Sequence, residues 1–112
     1  SCARRILDRP ADRPPAFWSA DALNDIDRLW DYYAELAGRA TADKVLRGIA
    51  SVVSTIGAFP HAGRSRDEIR AGLRSLAVDP HVVFYRLAHE QPEIVRVIDG
   101  RQDIGEIFPE DA

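Results

Sequence analysis

The side chains best suited to nucleophilic or metal chemistry in this sequence are His61, His81, His89, Ser75 and Cys2. The histidines fall in loops or at strand edges, with no H-x-x-H pair and no carboxylate spacing of the kind a zinc site uses. They are expected at the surface. Ser75 has no evident base and reads as a strand serine, Cys2 lies in an N-terminal arm, and no glycine-rich phosphate loop is present. No metal and no cofactor is expected. The more telling group is the arginines. Every base except Lys44 is an arginine, and a guanidinium suits fixed, bidentate pairing with carboxylates or phosphates better than proton transfer. That bias points to recognition.

The elements that would position these groups can be read from periodicity. Ser19 is a good helix N-cap, Asp21 favours the positive end of the helix dipole, and Gly38 supplies a stop. Between them Leu23, Ile26, Leu29, Trp30, Tyr33 and Ala37 recur at three- and four-residue steps, a single helical face. Trp30 and Tyr33 belong to that face and are expected in the core; Tyr32 lies off it, an exposed aromatic suited to a partner. Thr41 is expected to cap a second helix with Val45, Ile49, Val52, Val53, Ile56 and Phe59 as its apolar stripe, ended by Pro60. The short link makes the two an antiparallel hairpin. Before them "PAFW" is apolar enough for an edge strand. After them the period changes: residues 59–72 mix turn residues with charge, and strands are expected over 72–78, 81–87 and 93–99, joined by hairpin-sized links at Asp79-Pro80 and 89–92.

The fold class is therefore α+β, an antiparallel helical hairpin packed on a small twisted antiparallel sheet, in the order β-α-α-β-β-β. The 112 residues make one domain over 15–112, preceded by an arm over 1–14 rich in Arg and Pro, or a remnant foreign to the native fold. With 46% apolar and 29% charged residues the chain has a soluble globular composition. No apolar run approaches the ~20 residues of a membrane span, and a lone cysteine fits a reducing cytoplasm. The net charge of −3 argues against nucleic-acid wrapping as the main activity.

The stretch "LRSLAVDPHVVFYR" raises the question that matters for function. Alternation puts Arg74, Leu76 and Val78 on one face and Leu73, Ser75 and Ala77 on the other. Both faces are apolar, arginines lie among them, and the helices can cover only one. Apolar groups beside arginine are the composition of a protein–protein interface core. The other candidate cover is the tail "DIGEIFPEDA", through Ile104, Ile107 and Phe108. On helix one, Asp27, Asp31 and Glu35 follow at four-residue steps, either a solvated face or a docking site for a partner's arginines. Arg96 and Arg101, with Asp99 and Asp103, read as ion pairs at a strand end or as a functional patch. Arg64, Arg66 and Arg70 read as an exposed basic loop.

The order "FPHAGR", "GLRSLAV", "VVFYR" and "IVRVIDGRQD", after the helix start "SADALNDIDRLWDYYAE", resembles the ParE branch of the RelE/ParE toxin superfamily over about residues 19–108. The resemblance implies the toxin half of a type II toxin–antitoxin pair. A ParD-like antitoxin with a ribbon-helix-helix domain would wrap it with a C-terminal segment, as a helix in a groove or an added strand. The candidate antitoxin- or target-binding residues are Tyr32, Arg74, Leu76, Val78, Arg86, Arg96, Arg101 and Phe108. ParE members poison DNA gyrase, whereas RelE members cut messenger RNA on the ribosome. Cleavage needs groups to activate a 2′-OH, hold phosphorane charge and protonate the leaving oxygen. Arg74 stands where one RelE arginine belongs, but the second position carries Val82, the C-terminal aromatic is Phe108 with no hydroxyl, and lysines are absent from "RDEIRAG". The expected function is gyrase inhibition without covalent chemistry. The alternatives are a RelE-like ribonuclease, or an inactive member that binds only its antitoxin.

Overall fold

The computed structural model describes residues 16–88, 91–100 and 108. Ser19 starts the first long element as its sequence suggests: its hydroxyl accepts from the Ala22 N–H at 3.0 Å, and α1 runs over Ala20–Ala37. Gly38, at φ +96°, both ends α1 and opens α2 (Arg39–Ala58), so the link is a single residue. α2 has no side-chain cap, and it begins two residues before the expected Thr41. The left-handed glycine alone turns the chain here.

β1 (Phe17–Trp18) precedes the helices; β2 (Arg64–Ser65), β3 (Leu73–Val78), β4 (His81–Ala88) and β5 (Gln91–Asp99) follow. The five strands form one sheet in the order β1-β5-β4-β3-β2. Every pairing is antiparallel except that of β1 with β5, which is parallel. The three main strands stand where the alternation puts them. The segment 59–72 adds a two-residue strand, β2, beside the turn at 66–70, because Arg64 and Ser65 pair with Ser75 and Arg74. No apolar period marks so short a strand.

The core has two parts. Ile26 of α1 and Leu46, Ile49, Val53 and Ile56 of α2 pack on Val83, Tyr85, Ile94 and Val97, with Leu76 and Val78 half-buried at the margin. On the opposite face Leu73, Phe84, Ile98 and Phe108 form a second cluster, flanked by Ile69, Val82 and Val95. That face is thus covered in part by this chain itself, through the 66–72 turn and Phe108. Ile104 and Ile107 lie outside the described residues, as do Arg101, Asp103 and the arm.

α1 is tied to the sheet by a buried carboxylate. β4 and β5 slip register at Phe84/Tyr85, where Phe84 faces Arg96 but Tyr85 faces Ile94, leaving Val95 as the extra residue of a bulge. At the bulge Arg96 turns to α1, and its Nε and Nη2 donate to the two oxygens of Asp25 at 2.7 and 2.8 Å. Asp25 Oδ2 also accepts from the Val97 N–H at 2.9 Å, an edge group that β1 is too short to reach. Ser19 continues the seal, donating its N–H to Ile94 O and its hydroxyl to Val95 O. Arg96 therefore pairs with Asp25 of α1, and Asp103 lies outside the described residues. Hydrogen bonding to Asp25 raises the guanidinium pKa against an opposing desolvation penalty. A raised pKa gives stability below that pKa and loses it only in strong alkali, above about pH 12. The clamp is thus insensitive to base across the neutral range. Replacing Asp25 with alanine leaves a largely buried guanidinium and an edge N–H without an acceptor; the expected loss, by denaturant unfolding, is about 3–5 kcal/mol. Asp25→Asn keeps one acceptor and is expected to lose less.

Candidate partner-binding surface

The "FPHAGR" segment is held by two side chains of the sheet. Tyr85 is fully buried, and its hydroxyl accepts from the Gly63 N–H at 2.8 Å and donates to Pro60 O at 2.7 Å. Arg74 reaches the same loop: Nη2 donates to Gly63 O at 2.7 Å and His61 O at 3.1 Å. Only glycine fits at position 63, because a Cβ would lie 2.6 Å from the Tyr85 hydroxyl and 2.8 Å from Ser75 O. The motif is thus a clasp between the end of α2 and the sheet, and Arg74, the arginine most suited to chemistry by its position, donates to loop carbonyls.

Beyond the clasp, the loop arginines lie over the second face. Arg66 donates to Glu68 and to Ser75 Oγ and lies 5.6 Å from the Phe84 ring centre; Arg70 lies 5.3 Å from that of Phe108. The Phe84 and Phe108 rings meet edge to face at 5.0 Å. Phe108 is buried in this contact. The turn is braced by Asp67, which accepts from the Gly72 N–H at 2.8 Å and from Ser65 Oγ at 3.0 Å. Gly72 itself has φ +81°. The hydrogen bond from Gly72, then that from Ser65, pulls the Asp67 pKa below its ordinary value, and Arg66 does the same to Glu68. Next to this turn an open cleft of about 300 Å³ runs between Arg70, Leu73 and Val95, the Arg86–Glu93 pair at 2.6 Å, and the start of α1.

The candidate binding residues therefore separate. Tyr32 is 58% exposed on α1, and Arg86 is exposed at the cleft. Arg74, Leu76 and Val78 face the helical layer, Arg96 clamps α1, Phe108 packs on Phe84, and Arg101 lies outside the described residues. Trp30 and Tyr33 are half-buried, with Trp30 Nε1 donating to Asp43 at 2.9 Å. His61 is exposed as expected, but His81 is not: it is 3% exposed beneath α1, its Nε2 3.3 Å from the Tyr33 hydroxyl. Its place at a hairpin start suggested the surface; the end of α1 covers it. Sequence reasoning also missed Leu36, which is 65% exposed one turn after Tyr32; the four-residue spacing of the two was its available signal. Among the described residues no group of His, Cys, Asp and Glu could hold a metal ion, and no helix is long and apolar enough to cross a membrane.

A helical hairpin on a five-stranded sheet, with a clasped F-P-x-x-G-R loop, defines the class of small α+β domains. The family model for the ParE toxin of the type II toxin–antitoxin system parDE matches residues 16–104. Toxin ParE3 of Caulobacter vibrioides is 40% identical over 80 residues, 71% of this chain and 80% of that protein. Toxin ParE1 of the same organism is 34% identical over 80 residues, 71% of this chain and 82% of that protein. A solved structure of the chromosomal ParDE TA system from P. aeruginosa superposes with a TM-score of 0.67 at 24% identity, covering 75% of this chain and 92% of that one, a likeness of fold. The chain belongs to the ParE toxin family of type II toxin–antitoxin systems.

Two outcomes follow from the clasp and the turn. Tyr85→Phe leaves the Gly63 N–H and Pro60 O without their partner and is expected to cost about 1–3 kcal/mol in urea unfolding. A lowered carboxylate pKa gives stability that is complete above the unfolded value and is lost as pH falls through the folded one. Asp67→Ala is therefore expected to melt below the native chain at pH 7, with the gap narrowing as the pH falls below the ordinary aspartate value of about 3.9, as thermal scans at neutral and acid pH will read.

Proposed function

We propose that this chain is a toxin neutralised in the cytoplasm by a cognate ParD-like antitoxin, and that its target is DNA gyrase, inhibited without covalent chemistry of its own. Family membership carries the antitoxin partnership. The preference for gyrase over messenger RNA rests on the positions where a RelE-like ribonuclease would keep its reactive groups. Arg74 spends hydrogen bonds on the carbonyls of His61 and Gly63. Val82 flanks the second apolar cluster, and Phe108, without a hydroxyl, is packed on Phe84. General acid–base catalysis needs a titrating group within hydrogen-bond reach of the reacting atoms, and these positions supply none. Antitoxin contacts are assigned to the groups that remain exposed, Tyr32 on α1 and Arg86 at the cleft.

With purified gyrase, the free chain is expected to block supercoiling of relaxed plasmid, and an equimolar amount of its cognate antitoxin is expected to restore it. Codon-specific cutting of ribosome-bound mRNA, with supercoiling untouched, would overturn the gyrase assignment.

A further inference from the structure

The outer side of α1 has a composition that the core does not explain. Tyr32 and Leu36 are 58% and 65% exposed, although both are large and apolar and stand one helical turn apart. Beside them Asp31 and Glu35 are also exposed and also one turn apart. Leaving aside Asp25, which is buried against Arg96, the charges of α1 are Asp21, Asp27, Asp31 and Glu35 against Arg28, one turn before Tyr32. Two adjacent exposed rows therefore run along this part of the helix, one apolar and one acidic.

The aromatic is also held in place. The Tyr32 ring meets Tyr33 edge to face, at 5.1 Å and 85°. Tyr33 in turn meets His81, at 5.8 Å and 76°, with its hydroxyl 3.3 Å from His81 Nε2. His81 is buried on β4. The exposed ring is thus the outer end of a packed series that starts inside the sheet. An aromatic oriented before binding loses less side-chain entropy when a partner covers it, and such residues dominate interface energies.

We infer that the Tyr32–Leu36 ridge with its Asp31–Glu35 flank is the docking site for a basic, apolar-faced helical segment of the antitoxin. The inference rests on the toxin–antitoxin reading above and adds to it which surface is used and what chemistry the partner brings. Charge complementarity selects the occupant: an acidic row beside an apolar one favours Lys or Arg flanking Leu-like side chains and repels an acidic segment. Groups one helical turn apart present a ridge of the kind that packs into the groove of a second helix.

The test is calorimetric titration of the native chain and its variants with the cognate antitoxin. Tyr32→Ala and Leu36→Ala are each expected to weaken binding by about tenfold or more, with far-ultraviolet circular dichroism unchanged because both groups are exposed. Tyr32→Phe, which keeps the ring, is expected to stay close to native. Asp31→Asn with Glu35→Gln is expected to weaken binding and to flatten its dependence on salt. Phe59→Ala removes an equally exposed ring at the far end of the helical hairpin and is expected to have little effect. If the native chain binds tightly and Tyr32→Ala and Leu36→Ala bind within about twofold of it, the ridge is not the site, while the toxin–antitoxin reading stands. A salt dependence that steepens in the Asp31/Glu35 variant would overturn the basic partner. If the native chain does not bind at all, the toxin–antitoxin reading fails first and this inference with it.

Discussion

A single buried carboxylate connects the two layers of this fold. Asp25 is 6% exposed and accepts three hydrogen bonds, two from Arg96 and one from the Val97 backbone. A charge placed there is tolerable only because it is paired and fully engaged. Its oxygens do the work of a missing strand: β1 ends at Trp18, and the edge of β5 beyond that point is satisfied by side chains of the helix that follows. Apolar burial supplies most of the attraction between the layers, but it does not select one angle of α1 on the sheet. The bidentate arginine and the backbone contact do, and the ridge on the outer side of α1 owes its orientation to them.

The same economy appears at the other end of the hairpin. One tyrosine hydroxyl and one guanidinium satisfy three carbonyls and an N–H in the loop after α2. A loop held over a buried ring needs its polar backbone groups paired, and the F-P-x-x-G-R pattern can be understood in those terms. Pro60 ends the helix and presents its carbonyl, while Gly63 leaves room for the ring beneath. In this chain the pattern closes the loop over the sheet.

The long elements were legible because their periods are strong. Ser19, the apolar face from Leu23 to Tyr33 and the alternation through β3 and β4 lead directly to the observed hairpin and sheet. The short elements were not: β2 is two residues with no apolar pattern, and its pairing is decided by the turn beside it. The pairing of Arg96 with Asp25 was not legible, because the two lie 71 positions apart and no spacing rule reaches that far. His81 was misplaced for the same reason, since the group that covers it comes from another layer. Of the proposed binding surface, Tyr32 was readable from its place off the helical stripe. Its companion Leu36 and the orienting contact through Tyr33 and His81 needed the tertiary structure.

The sheet's margins differ, and this limits how copies of the chain could associate. Along β5 the backbone is engaged by β1, Ser19 and Asp25. Along β3 the two residues of β2 pair only with Arg74 and Ser75, so Leu76 to Val78 lack a strand neighbour on that side among the described residues. Growth of a sheet into a fibre requires every copy to offer two receptive margins, one to give and one to receive. Among the described residues the margin beyond β2 is the receptive one, and backbone pairing through that margin alone would stop at two copies.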